Sequence, residues 1–315
     1  MSYAAKILAD SISPAGHRLT SFEGCFPRIV LAEVNTHRKL SRNSASSRAI
    51  PVEKRIAAVE QDPFVPAEFG KNKKGMQHDE VLGANEHAVA LSAWTNAKDD
   101  AIKHARWLAN VGVHKQLANR LLEPFSWHTA VLTATDWDNF FHLRVNPAAQ
   151  GEFRRVAEMM QGLYDKSTPR LVGHGEWHLP YVEIIELGTT DGGARDVGEA
   201  FWLRQNGYHP QKISAARCAR VSYLTQDGKR DPKEDQALYD RLVEPGHLSP
   251  LEHPARPMTD EELHMFARSR HRWNGERFVI ESGEMDHYLG NFNGWVQLRK
   301  MIPGEDDILG HRAAS

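Results

Sequence analysis

Cysteine is scarce. Only Cys25 and Cys218 occur in 315 residues, too few for a disulfide framework or a thiolate metal cluster. Such usage suits a reducing, cytoplasmic setting. No apolar run approaches membrane-spanning length, and the opening MSYAAKILADS lacks a charged segment followed by an apolar core. Neither a membrane anchor nor a secretory leader is therefore expected. Net charge is missing too: 39 Lys and Arg against 41 Asp and Glu leave −2. So neutral a chain has no global pull toward nucleic acid or membrane, and any anion site must be a local cluster. The sequence contains no GxxxxGK(S/T), no GxGxxG, no GxSxG and no HExxH. A P-loop, a dinucleotide Rossmann fingerprint, a serine nucleophile elbow and a zinc protease are unsupported. Neither cysteine has a nucleophile's signature around it, so both read as small core residues.

What the chain does have is concentrated in Thr36–Arg48, THRKLSRNSASSR. Three arginines, one lysine, one histidine, four serines and Asn43 share this window with almost nothing apolar. It is expected to be neither a buried strand nor a core-facing helix. Hydroxyls, guanidinium forks and exposed backbone N–H groups suit a phosphate or nucleotide anion. The alternatives are a solvated basic loop and a nucleic-acid patch. The second is disfavoured by the lack of interleaved aromatics.

Around that window the chain reads as one globular unit, with 41% hydrophobic and 25% charged residues. Residues 1–25 suggest strand and turn. Arg28–Val34 fits either a buried strand or the first turns of a helix. A helix is expected at Val52–Gln61 after Pro51, and a solvated loop at Lys71–Lys74. Ala88, Leu91, Trp94, Ala97, Ala101, Ala105 and Leu108 recur at helical spacing between 79 and 122, with Gly112 separating two helices. Trp127–Thr135 is β-branched and aromatic enough for a strand. Asp136 is placed to cap a short helix through Leu143. A strong amphipathic helix then runs to Tyr164, with Phe153, Val156, Ala157, Met160 and Leu163 on one face. Tyr181–Leu187 suggests a strand and Gly188–Ala194 a linker. In the last third Asp231-Pro232 starts a helix, Pro245-Gly246 stops it, and another helix spans about Asp260–Arg270. His174 and His178 lie four apart, but Gly173, Gly175 and Pro180 oppose a helix there, so no metal site is expected.

A second polar set is Arg120, Asn139, Arg144 and Gln150. Arg144 follows Phe140, Phe141 and Leu143. A guanidinium held at the edge of a core can stabilise negative charge developing on a heteroaromatic carbonyl.

Three segments together resemble the flavin-dependent thymidylate synthases. That family's hallmark is an RHR triplet followed by S, N, S and R at set intervals, and His37, Arg38, Ser41, Asn43, Ser46 and Arg48 keep those intervals. The run LANRLLEPFSWHT with NFFHLRVNPAAQGEFR is similar to the family's arginine and N…LR…AQxE segment, placing Arg120, Asn139, Arg144, Gln150 and Glu152 on its marked positions. AARCARVSY with PGHLSPLEH is similar to AARVSF…HGHETPFEH. This last segment opens an ordinary member but lies at 215–253 here, which points to a circular permutation. A single domain over 1–315 is expected, with 213–315 carrying the segment that is N-terminal in the family.

The resemblance implies an α+β fold: a mixed α/β domain with long helices against a β-sheet, assembled as a homotetramer with sites at subunit interfaces. It implies FAD as cofactor, NADPH and methylenetetrahydrofolate as co-substrates, and methylation of dUMP at C5 to give dTMP with no enzyme cysteine attacking the pyrimidine. By position Arg144 is implied as the catalytic arginine that polarises the ring. Ser44, Ser46, Ser47, Arg48, Arg120 and Arg144 fall on the nucleotide. His37, Arg38, Lys39, Asn139, His247, Ser249 and Glu252 fall on the flavin side. The chain departs from the pattern at Thr36 for the first arginine of the triplet, Ser44 for a glutamate, Glu33 for a glutamine and Ala148 for a histidine. These departures keep dUMP hydroxymethylation, dCMP methylation and a non-catalytic nucleotide- or RNA-binding role open. Gln297, Arg299 and Lys300 are candidates to replace lost polar contacts.

Overall fold

The computed structural model describes residues 2–75, 78, 80–187, 195–225, 228, 230–269, 272–273, 278–279 and 290–305. Its centre is a hairpin. Strand β1 (Ala4–Ile12) pairs antiparallel with β2 (Arg18–Pro27), with a register shift between Ile7 and Ala9. Gly16 turns the chain at φ +83°, a conformation that disfavours a Cβ. A 3-10 turn at Arg28–Val30 leads into α1 (Leu31–Thr36), so the apolar run before the basic window is helical. Pro27 ends the strand and Arg28 N–H bonds to Ser126 O at 2.9 Å, which directs the chain off the sheet.

The basic window itself contains strand β3 (Ser41–Ser44), in which only Ser41 is buried, so the expectation of no buried strand fails at that one residue. It lies at the edge of the sheet, and its polar groups are satisfied. Buried Ser41 accepts from Gln297 Nε2 at 3.0 Å, and Asn43 Nδ2 donates to Cys218 O at 2.8 Å. Burial of polar residues costs little when every group has a partner.

Helix α2 (Val52–Gln61) starts after Pro51 as expected. Helix α3 (Ala84–Asn110) buries only Ile102 and Ala105 in the single chain; Ala88, Leu91 and Ala97 of the expected apolar spacing stand exposed, as do Val89 and Trp107. Gly112, at φ +86°, ends this region, but no second long helix follows. Helix α4 is one turn (Lys115–Ala118), continued by 3-10 turns through Phe125. Pro124 lies inside that run, and Asn119 is drawn inward to donate to Ser47 O and Ile50 O at 2.8 and 2.9 Å.

Strand β4 (Trp127–Ala134) pairs antiparallel with both β2 and β3. Helix α5 (Asp138–Arg144) is preceded by Trp137 rather than capped by Asp136, whose carboxylate instead faces Lys39 and Asn293. Helix α6 (Gly151–Lys166) buries Phe153, Val156, Ala157 and Met160, the face read from the sequence. Strand β5 (Arg170–Leu171) joins β1 in parallel, giving the sheet order β3-β4-β2-β1-β5. The period of two sorts β4 onto two faces. Ala130, Leu132 and Ala134 meet Phe22, Phe26, Phe140, Phe153 and Met160, whereas Val131 meets Tyr181, Cys218 and Val221.

Strands β6 (Ile185–Leu187) and β7 (Arg195–Val197) form a hairpin, with the expected linker at 188–194 lying outside the described residues. Strand structure begins at Ile185, later than Tyr181. Helix α7 (Glu199–Gln205) precedes α8 (Pro210–Arg220), which packs with α9 (Pro232–Val243). Arg217 and Arg220 of α8 share the buried Asp235 of α9 at 2.9 and 2.7 Å. Asp231 caps α9 by accepting from Lys233 N–H at 2.8 Å, and Gly246 turns the chain beyond it at φ +76°. Ser249–Glu252 is a 3-10 turn leading to β8 (Ala255–Pro257) and α10 (Asp260–Ser269). The short pair β9 (Arg272–Trp273) and β10 (Phe278–Val279) follows, and β11 (Trp295–Gln297) returns to pair with β8. The fold is thus mixed α/β, with helices on both faces of one five-stranded sheet.

Candidate active site

The ends of β3 open onto different clefts. At its start, the turn after α1 and the end of α5 border an open cleft lined by Thr36, His37, Arg38, Lys39, Asn139 and Arg144, among others. At its far end Asn43, Ser46 and Arg48 line a second, wider and more open cleft with Ser222, Tyr223, His247 and Ser249. The two clefts share no lining residue.

In the first cleft Arg144 is fixed. Its Nε donates to His37 Nε2 at 2.7 Å, its Nη2 donates to Thr36 Oγ1 at 3.2 Å, and its guanidinium lies 4.8 Å over the Phe153 ring. An acceptor nitrogen at Nε2 means a neutral His37 ring. Burial, and then the charges of Arg144 and Arg42, push its pKa down to about 4. Arg38 is exposed and makes no side-chain bond among the described residues. Lys39 pairs loosely with Asp136 at 3.6 Å. Such a set of donors with one engaged carboxylate suits a polyanion such as a pyrophosphate.

The second cleft is lined by no carboxylate. Its cations are Arg48, which has no side-chain partner among the described residues, and Lys115, which donates to Ala49 O at 3.1 Å. Ser46 is positioned by its backbone, since its N–H reaches Ser222 O at 3.1 Å while its hydroxyl accepts from Arg48 N–H at 3.2 Å. Ser249 Oγ donates to Asn43 Oδ1 at 3.3 Å, so the segment at 213–253 sits directly on the hallmark strand. Ala219, Tyr223, Leu238, Leu242 and Pro250 give the same cleft an apolar wall. A cationic, hydroxyl-rich end beside an apolar wall fits a phosphate joined to a planar ring.

Four of the residues that the resemblance places on the nucleotide or flavin lie off both linings. Ser44 is half-buried on β3 opposite Ala130. Ser47 is buried and donates to Glu123 Oε1 at 2.5 Å. Exposed Arg120 bonds the same carboxylate at 2.9 Å. Glu252 pairs with Arg299 at 2.5 Å. Gln297 and Arg299 therefore bind the protein itself. Gln297 Nε2 joins Ser41 to Glu252 O, and Arg299 joins Glu252 to Glu305. Sequence reasoning missed Asp136, Lys115, Ser222 and Tyr223, whose approach depends on how distant segments pack.

Both cysteines are buried, and burial raises their thiols, Cys25 to about 11 and Cys218 further. Neither provides a thiolate at neutral pH. His178 is engaged in the core, with Ser11 Oγ and Ser21 Oγ each 2.8 Å from its ring nitrogens. Ser21 continues through Thr133 to His253. Among the described residues no group of three His, Cys, Asp or Glu side chains gathers to hold a metal, and no helix is long and apolar enough to cross a membrane.

The fold and clefts meet an independent finding. The model of the thymidylate synthase complementing protein family, Thy1, matches residues 6–170, from β1 to β5 and over half of the chain. The chain belongs to this family, and it is an enzyme of the methyltransferase type. The family is flavin-dependent. The match includes the hallmark window and Arg144, and ends before the segment at 213–253. Among solved structures the chain is similar to a UMP/dUMP methylase, PolB, from Streptomyces cacaoi with 5-bromo-dUMP bound. Identity is 17%, covering 52% of this chain and 91% of that one, with a TM-score of 0.43. The same methylase with 5-bromo-UMP gives 16%, 52%, 89% and 0.43. No curated protein matches the chain.

Proposed function

We propose that the chain is an FAD-dependent enzyme that moves a one-carbon unit from methylenetetrahydrofolate to C5 of a pyrimidine deoxynucleotide monophosphate, converting dUMP to dTMP with NADPH as reductant. The observation that carries this reading is Arg144, held at the cleft edge by two neutral acceptors with its full charge available. A cation so placed stabilises the ring anion that forms when N3 loses its proton, and this raises nucleophilicity at C5. Ser46 and Arg48 bind the nucleotide phosphate, with Arg120, Ser44 and Ser47 on the nucleotide side of the assembled site.

The donors of the first cleft fit FAD. Arg38, Lys39 and Asn139 would hold its phosphates, with His247 and Ser249 nearer the ring and Glu252 behind them. When bound, the flavin supplies the hydride that completes the methyl group. The chain's own residues orient the nucleotide and hold its charge, and the buried, protonated thiols fit a reaction without an enzyme nucleophile.

The permuted order is supported by the packing of 213–253 against β3. A homotetramer is supported by the separation of the two clefts in one chain and by Arg120 and the apolar residues of α3 standing exposed. In it, one copy's Arg144 cleft faces another's Arg48 cleft. Ser44, in the place of a family glutamate, favours a second reading in which dCMP is methylated or dUMP hydroxymethylated.

The test is flavin itself. Purified protein should carry flavin absorbance or acquire it stoichiometrically on incubation with FAD. A colourless protein that binds dUMP but no FAD would leave only a nucleotide-binding module.

A further inference from the structure

Thr36 stands where the family's triplet has an arginine. Its hydroxyl proton is committed, since Oγ1 donates to Glu33 O at 2.6 Å. Its lone pairs therefore face outward, and one takes Arg144 Nη2 at 3.2 Å. The next residue, His37, takes Arg144 Nε at 2.7 Å. That ring is 9% exposed and is held edge-on by Phe140 at 5.0 Å and Phe153 at 6.1 Å. Phe153 also lies under the guanidinium at 4.8 Å. Two edges and one face of Arg144 are thus occupied by the protein, and Nη1 makes no side-chain bond among the described residues.

The choice of partners matters chemically. A carboxylate at either place would hold Arg144 as firmly, but it would neutralise the charge that the reaction uses. A hydroxyl lone pair and a neutral imidazole nitrogen fix the plane and leave the charge intact. We propose that Thr36 and His37 are positioning residues for Arg144, orienting its free N–H edge toward the nucleotide. The assignment rests on the reading of Arg144 given under the proposed function.

The experiment uses flavin-loaded enzyme with Thr36→Val, His37→Leu, His37→Gln and Arg144→Ala. It measures kcat, the nucleotide KM, and FAD affinity by flavin fluorescence. His37→Leu should lower kcat about 100-fold, the scale of a misplaced catalytic group, with FAD affinity unchanged within about twofold. His37→Gln retains an acceptor and should recover about tenfold of that loss. Thr36→Val, at an exposed position that does not endanger folding, should cost about fivefold in kcat. Loss of FAD binding in parallel with activity, or equal defects in His37→Gln and His37→Leu, would overturn the assignment. If Arg144→Ala is inactive while Thr36→Val and His37→Leu turn over fully, positioning alone fails. If Arg144→Ala turns over normally, the functional reading beneath it fails.

Discussion

The two ends of β3 hold their arginines in opposite ways. Arg144 is held by the protein itself, through Thr36, His37 and the Phe153 ring. Arg48 has an exposed guanidinium and no side-chain partner among the described residues. The first arrangement suits a charge that must meet a transient anion in fixed geometry, because orientation is settled during folding. The second suits capture of a permanent dianion, which can order a mobile cation as it binds. One short stretch thus has a rigid end, suited to chemistry, and an adaptable end, suited to binding.

That contrast breaks most directly at Arg144. Arg144→Ala should reduce turnover about 100- to 1000-fold, the loss expected when one preorganised charge-stabilising donor is removed, while flavin stays bound. Flavin absorbance and steady-state rates together check it, and near-normal turnover would erase the distinction. At the other end Arg48→Ala should weaken nucleotide binding about 10- to 100-fold through loss of charge-assisted hydrogen bonds. Calorimetry measures this, and kcat at saturating nucleotide should hold nearly constant. A fall in kcat with unchanged affinity would mean that Arg48 is the chemical arginine instead.

A smaller effect is expected behind the strand. Gln297 is buried and bonds Ser41 and Glu252 O, so Gln297→Leu should destabilise the fold by about 1–3 kcal/mol through unsatisfied partners. Urea unfolding gives the value, and an unchanged midpoint would show the staple to be dispensable.

A further effect is pH-dependent. Burial holds His37 near pKa 4 and His178 and His253 near 3, below the ordinary 6.5. The unfolded chain therefore takes up these protons first. Stability should fall as pH drops through 6.5 and keep falling until these depressed values are reached. His37→Gln should make the decline shallower, and a decline of equal slope would place His37 in a solvated setting.

Much of this was legible in the sequence. The spacing of Phe153, Val156, Ala157 and Met160 gave α6 its buried face, and Asp231-Pro232 and Gly246 gave α9 its limits. Residue types and intervals brought out both halves of the basic window. What escaped was set by distant packing. Ser41 is buried on its strand with partners from far along the chain, since Gln297 and Asn291, about 250 positions later, donate to it. The exposed apolar residues of α3 mimic a core pattern because periodicity does not say what covers a face. The division of the window between two clefts depends on where α5 and the 213–253 segment come to rest, which no local spacing encodes.

The central claim is one-carbon transfer to C5 of the nucleotide through flavin, with no enzyme thiol. It is tested most directly by incubating the FAD-loaded enzyme with dUMP, methylenetetrahydrofolate and NADPH and measuring the product by mass spectrometry, with dCMP in parallel. The account predicts dTMP from dUMP, lost when FAD or NADPH is withheld and kept when Cys25 and Cys218 are replaced by alanine. Unmodified dUMP and dCMP from a protein that holds flavin and binds both nucleotides would contradict it.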